Sequence, residues 1–377
     1  MEYPKPVDSE RVTPVQDSSI LESKPLQTSS PPDPLPELAD KERTELIQKF
    51  AKSVECDQVS STYWAFLWLQ DIESLRRNVN LASISNVTAE IVMQSSLFEQ
   101  SQRIWQGKTR FFTDPETSAD PETSAVIPSK RKAPDENQPT RDRTAKKTCI
   151  ERDGARCVIT GKQIIQVAHI VPFACYKNAN TKAMRNFWTT LKMFWSEEKI
   201  GRWKSMVSGA SGTEICENLM CLSAETHLAW TACSFALEPV EIINEGKTFI
   251  MRFYWLPRNT IRNVSIHSPP TIKLLSSPDQ TDSITIKYSD GSSHEIQSGD
   301  QVAFHTADPI THPLPSWDLM SMQWTLHRIC ALSGSAETMD DGMESDSDNG
   351  FAFDFDYEEV PPTTISSYIR RPRLGTP

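Results

Sequence analysis

An α+β fold is what this sequence predicts, on three observations. Apolar residues recur at helical intervals between Asp40 and Trp105, alternating apolar strands follow Pro239, and between them lies a strand, loop and helix succession from Cys157 to Trp230. The first of these runs, with Leu46, Ile47, Phe50 and Val54, then Trp64, Leu67, Trp68, Ile72 and Leu75, then Ile91, Met93, Leu97 and Phe98, reads as about three amphipathic helices. Polar breaks at SVECDQVSS and NVNLASISN separate them. After Pro239, KTFIMRFYWL and SITIKYSDGSSHEIQSGDQVAFHT read as strands, with Asp290–Gly291 as a hairpin turn. A closing helix is expected over Leu319, Met322, Trp324, Leu326, Ile329 and Leu332.

Composition divides the 377 residues into six segments. Residues 1–40 are Pro-, Ser- and Asp-rich and cannot repay their ordering entropy. A helical region spans 41–105, and a linker over 106–147 contains DPETSA twice in tandem followed by basic residues. The chemistry-bearing domain covers 148–240, a β-rich extension with its closing helix covers 241–335, and an acidic disordered tail covers 336–377.

The net charge of −11 hides an uneven distribution. Asp340 to Glu359 holds nine acidic and no basic residues, whereas Lys130 to Lys147 holds seven basic against three acidic. Two basic clusters, Lys130–Lys132 and Lys146–Lys147, separated by a polar spacer, fit the groove of a nuclear import receptor; a solvated linker has the same composition. The tail alternates Phe351, Phe353, Phe355 and Tyr357 with small or acidic residues, a pattern suited to a protein partner with a basic, apolar groove or to simple solubilisation.

Eight cysteines without a CxxC pair, and an opening MEYPKPVDSE without an apolar leader, point to a reducing compartment, nucleus or cytoplasm, rather than secretion. Five of the eight fall between Cys149 and Cys221, a spacing open to a zinc cluster or to scattered buried thiols. No apolar stretch approaches the ~20 residues of a membrane span.

The central segment carries the chemistry. RDGARCVITGK reads as a polar turn, a short strand and a Thr160–Gly161 turn, and IIQVAHIVPF as a second strand ending before Pro172, with His169 near its end. From the residues alone, His169 is either a hydrogen-bonded core residue or a proton acceptor. Downstream, ENLMCLS turns into a short apolar segment, and SAETHLAW starts a helix with Ser223 as N-cap and His227 near its first turn. Between them, NTKAMRNFWTTLKMFWSEEKIGRWKSMVSG places Phe187, Trp188, Leu191, Phe194, Trp195, Ile200 and Trp203 mostly three or four positions apart. The stripe predicts a helix packed into the core; the interleaved Arg185, Lys192, Lys199, Arg202 and Lys204 are of a kind that contacts a phosphate backbone.

ERDGARCVITGK, VAHIVPF and ENLMCLSAETHLAWTACSFALEPV, in that order and with Asn218 and His227 nine positions apart, resemble an HNH endonuclease domain, closest to the variety found in fungal proteins. The resemblance covers roughly Cys149 to Pro239 and implies a ββα unit around one divalent metal ion, Mg, Mn or Zn, acting on nucleic acid, DNA above all. By that resemblance His169 is the general base, Asn218 holds the loop between hairpin and helix, and His227 ligates the metal. Such residues suit phosphodiester hydrolysis, which needs a base for water and a cation for the charge on phosphate. Where many relatives carry an acidic residue before the first histidine, this chain has Ala168, and Asp153 is a candidate for the missing carboxylate. That departure opens the alternative of a catalytically inactive nuclear DNA-binding or regulatory protein on the same scaffold.

Overall fold

Five α-helices, rather than three, occupy the first described segment. The computed structural model describes residues 36–108, 143–209, 211–256, 259, 261–270, 284–287 and 293–334, all belonging to one compact unit. Residues 1–35 of the Pro-rich start, the tandem repeat, the Lys130–Lys132 cluster, the Asp290–Gly291 turn and the acidic tail lie outside the described residues. The last five residues of the start, expected to be disordered, are instead ordered, Pro36–Ala39 as a short 3-10 helix with Glu37 paired to Arg328 at 2.6 Å and Asp40 as the cap of the helix that follows.

Helix α1 is Lys41–Val54, α2 Ser61–Leu69, α3 Ile72–Ile84, α4 Asn86–Met93 and α5 Leu97–Trp105. Period alone undercounts them because it runs α2 into α3 across Gln70–Asp71 and α4 into α5 across Gln94–Ser96, breaks too short to interrupt the apolar pattern. Helix α2, STYWAFLWL, is buried on every side. Its start is set by Ser60, whose Oγ accepts the Tyr63 N–H at 3.1 Å. Ser85 likewise ends α3 and caps α4, its Oγ accepting from Thr88 N–H at 3.3 Å.

Strand β1 (Gln58–Ser60) pairs antiparallel with β6 (Asn263–Ser265), which stitches the helical region to a segment two hundred residues on. Strands β4 (Phe235–Ile243), β5 (Thr248–Trp255) and β9 (Gln301–His305) form a three-stranded antiparallel sheet in the order β4-β5-β9. Strands β7 (Thr285–Lys287) and β8 (Ser293–Glu295) make a separate short pair. The closing helix α11 (Trp317–Ser333) packs against α2, β4, α9 and α5. One apolar core therefore runs from Ile47 to Leu332 through all these elements.

Two further differences from the sequence reading concern the segment before the site. Residues Arg143–Arg152 form helix α6, so Lys146 and Lys147 sit on a helix; its buried positions Ala145, Cys149 and Arg152 recur at four- and three-residue steps. Cys157–Thr160 is a turn rather than a short strand, because the chain closes on itself. Gly161 N–H donates to Cys157 O at 2.8 Å and Cys157 N–H to Lys162 O at 2.8 Å.

Strand β2 is Ile165–His169 and β3 Leu219–Ser223, paired antiparallel with His169 opposite Leu219; helix α10, Ala224–Thr231, follows at once. Between the strands come α7 (Phe173–Lys177), α8 (Lys182–Phe194) and α9 (Glu197–Val207). The aromatic stripe packs inward as expected, in two helices broken at Trp195. Thr181 caps α8, Ser196 caps α9, and Glu197 and Glu198 complement the α9 dipole. Phe194 lies 5.2 Å from Phe66 and 5.6 Å from Phe98, and Trp195 6.1 Å from Trp203, ring centre to ring centre. Several of the interleaved cations are matched by carboxylates: Lys199 by Asp71 at 3.1 Å, and Arg202 by Glu198 at 2.7 Å and Asp318 at 3.2 Å.

Candidate active site

The β2–β3 pair and α10 form the ββα unit on which His169, Asn218 and His227 are displayed. Ser223 ends β3 and starts α10 as its N-cap, Oγ accepting from Thr226 N–H at 3.4 Å.

Asn218 is fully buried. Its Oδ1 accepts the Val171 N–H at 2.8 Å, and its Nδ2 donates to Val171 O at 3.0 Å and to Thr213 O at 2.9 Å. Its own carbonyl accepts from Ile170 N–H at 2.8 Å. One carboxamide thus ties the exit of β2 to the turn before β3 and satisfies every donor and acceptor it brings into the interior.

That tie registers a second contact. Thr213 precedes Glu214, Val171 lies two residues beyond His169, and the Glu214 Oε1 stands 2.5 Å from His169 Nε2. The His169 side chain is 17 % exposed and that of Glu214 6 %. The Glu214 turn is held locally: Glu214 N–H donates to Ser211 O at 2.9 Å, and Gly212, at φ +55°, lies under the Tyr176 ring. Trp230 of α10 donates its indole N–H to the His169 carbonyl at 3.1 Å, and Phe173 packs 6.2 Å from the imidazole.

His227, half-buried on α10, meets β2 differently. Its Nδ1 is 2.5 Å from Gln166 Oε1, three residues before His169 on the same strand. Ala168 between them is fully buried and offers no ligand atom. The structure therefore gives the two imidazoles different partners, Glu214 for His169 and Gln166 for His227. Sequence reasoning missed both. Gln166 shares strand parity with Ala168, a signal available in IIQVAH, whereas Glu214 is marked only as the one carboxylate in SGTEIC.

A divalent ion is what an HNH unit generally uses, and the donors present fit one only partly. Accepted by Gln166 Oε1, the His227 Nδ1 carries the proton, and Nε2 is the nitrogen a cation would take. A single imidazole is one ligand of a shell that a hard cation completes with oxygens from water or phosphate.

The second donor group, Cys149, Asp153 and Cys221, has its ligand atoms within 4.8 Å of one another, and fits a metal less well. Both Asp153 oxygens are engaged, Oδ1 by Arg152 Nε at 2.7 Å and Oδ2 by Arg152 Nη2 at 3.1 Å and the Cys221 N–H at 2.8 Å. The adjacent Cys221 thiol and burial push the Cys149 thiol far above its ordinary range, and burial pushes that of nearby Cys216 up to about 12. The carboxylate of this group is thus already committed to the Arg152 ion pair and the Cys221 backbone.

No disulfide joins any of the eight cysteines, all of which are among the described residues, and no helix among the described residues is long and apolar enough to cross a membrane. The comparison with curated proteins gave no match, nor did the comparison with solved structures. The model of the HNH endonuclease family, however, matches residues 157–238, from the turn before β2 into β4. The strand pair, its carboxamide clamp and the helix that follows thus lie within an HNH endonuclease domain carried by this chain.

Proposed function

We propose that the protein hydrolyses phosphodiester bonds of DNA, with His169 as general base, Asn218 as its positioning residue and His227 as the ligand of a divalent cation. The observation that carries this reading is the Asn218 clamp, which fixes Val171 and Thr213 at once and so sets the position of His169. A side chain that spends all its hydrogen-bonding capacity on the backbone beside one histidine suits a residue needed to aim that histidine. His169 takes the proton of the attacking water on a ring nitrogen, which raises the nucleophilicity of the oxygen as it approaches phosphorus. A divalent cation at His227 would supply neutralisation of the charge developing on the phosphate oxygens. Trp230 donates to the His169 carbonyl and Phe173 packs beside its ring.

Plasmid nicking in Mg, Mn or Zn tests the reading. The His169→Ala variant should nick at least ~10²-fold more slowly than the unaltered protein; equal rates in both would overturn it. Ala168 favours a second reading, DNA binding without cleavage, because the strand position before the base brings no ligand. Binding of duplex DNA with no nicking under any of the three metals would select that reading. Entry into the nucleus through Lys130–Lys147 is part of either proposal and is checked by locating a tagged protein with and without Lys146→Ala and Lys147→Ala.

A further inference from the structure

The geometry points to Glu214 as a positioning residue that selects which nitrogen of His169 accepts the proton. This rests on the nuclease reading for its catalytic meaning, but its structural content stands without it.

His169 Nε2 and Glu214 Oε1 stand 2.5 Å apart, within hydrogen-bond reach. A carboxylate only accepts, so the proton of the bond belongs to Nε2. In a neutral imidazole the other nitrogen then carries the lone pair. Nδ1 of His169 is the atom that takes a proton from water: one water O–H bond breaks, its proton joins Nδ1, the hydroxide oxygen bonds phosphorus, and the departing oxygen leaves with the electron pair of its bond to phosphorus and is protonated by solvent. No proton passes to Glu214, whose charge lies against the imidazolium so formed.

Three features make this more than a chance contact. Glu214 comes from a turn 45 positions along the chain, so nothing local brings it to His169. Its backbone is fixed on one side by the Asn218 bond to Thr213 and held in shape by Gly212 under Tyr176. With Ala168 in the strand, Glu214 is the carboxylate that the structure brings to the base.

The test uses the full chain labelled with 15N-histidine. Long-range 1H–15N correlation at a pH where imidazoles are neutral reports the tautomer of each ring, and His169→Ala identifies the His169 signals among the seven histidines. Expected is Nε2–H for His169 in the unaltered protein and a mixture of tautomers in Glu214→Gln, whose amide both donates and accepts. Nicking by Glu214→Gln should show kcat reduced ~10- to 100-fold with KM little changed, and Glu214→Asp should recover part of it. An Nδ1–H ring in the unaltered protein, or the same tautomer in both proteins, overturns the assignment. Unchanged kcat in Glu214→Gln with active unaltered protein overturns it as well. If the unaltered protein nicks nothing, the nuclease reading fails while the tautomer still decides the role of Glu214. Should Glu214→Gln not fold, by loss of its melting transition, the tautomer of the unaltered protein alone decides.

Discussion

Arg152 and Asp153, adjacent in the chain, form an ion pair with 0 % and 2 % of their side chains exposed. The guanidinium spends its donors on Asp153, on Leu219 O at 2.7 Å, on Cys216 O at 3.0 Å and on Pro313 O at 2.9 Å. Burial works against its charge, and Asp153 outweighs that effect. Helix α6, strand β3 and the approach to α11 therefore meet at one side chain. Asp153→Ala should lower stability by about 3–5 kcal/mol, because it leaves a buried guanidinium unpaired. The midpoint of urea unfolding measures this, and a loss below about 1 kcal/mol would show that the pair is dispensable.

Asn218 supports a sharper pair of variants. Asn218→Ala removes three side-chain bonds and should cost about 2–4 kcal/mol, while Asn218→Asp places a carboxylate oxygen against two carbonyls and should be worse despite its near-identical shape. Nicking should be lost in both. An Asn218→Asp protein more stable than Asn218→Ala would mean that the contacts to Val171 O and Thr213 O are not hydrogen bonds from an N–H.

The turn that presents Glu214 depends on Gly212. Its φ of +55° disfavours any side chain, and a Cβ there would fall inside the Tyr176 ring. Gly212→Ala should cost about 1–3 kcal/mol and reduce nicking by displacing Glu214. Adding Tyr176→Ala relieves the overlap, so the double variant should recover part of both losses, which a double-mutant cycle measures. Strict additivity would refute the contact.

A pH dependence follows from His327 on α11. Its ring lies 4.6 Å from Trp230 and 5.9 Å from Trp105, and its Nδ1–H donates to Phe235 O at 2.8 Å. Burial lowers its pKa to about 4 against the opposing pull of that carbonyl. The unfolded value is near ~6.5, so the stabilisation is present above that pH and is lost as pH falls toward 4 while the unfolded chain takes up the proton. The loss from this group approaches about 3 kcal/mol. Stability curves of the unaltered protein and His327→Gln should diverge in slope between these two values; parallel curves would refute the assignment. Trp230, which packs on His327, also donates to the His169 carbonyl.

Much of this was legible in the sequence, for reasons that differ by element. The α8–α9 stripe announced itself because burial on one side of a helix imposes a period, and the order of His169, Asn218 and His227 announced the ββα unit. Helices α2 and α3 read as one because only Gln70 and Asp71 part them. Cys157–Thr160 looked like a strand because its apolar residues are buried in a turn. Glu214 was invisible because what distinguishes it is a contact across 45 positions, and no local pattern records which of many carboxylates a tertiary fold will carry to a given imidazole.

The insertion between β2 and β3 has a kinetic consequence. A hairpin closed by two residues forms locally, whereas His169 and Leu219 must find each other across roughly fifty, an added closure entropy of about 3 kcal/mol. That gap is bridged by α8 and α9: Phe194 packs on Phe66 and Phe98 of the first hundred residues, and Trp203 on Trp195 at the break between the two helices. Docking of those helices on the aromatic cluster brings the ends of β2 and β3 together and so shortens the loop that pairing has to close. A lesion at Phe194 would delay the birth of the site without touching any atom in it.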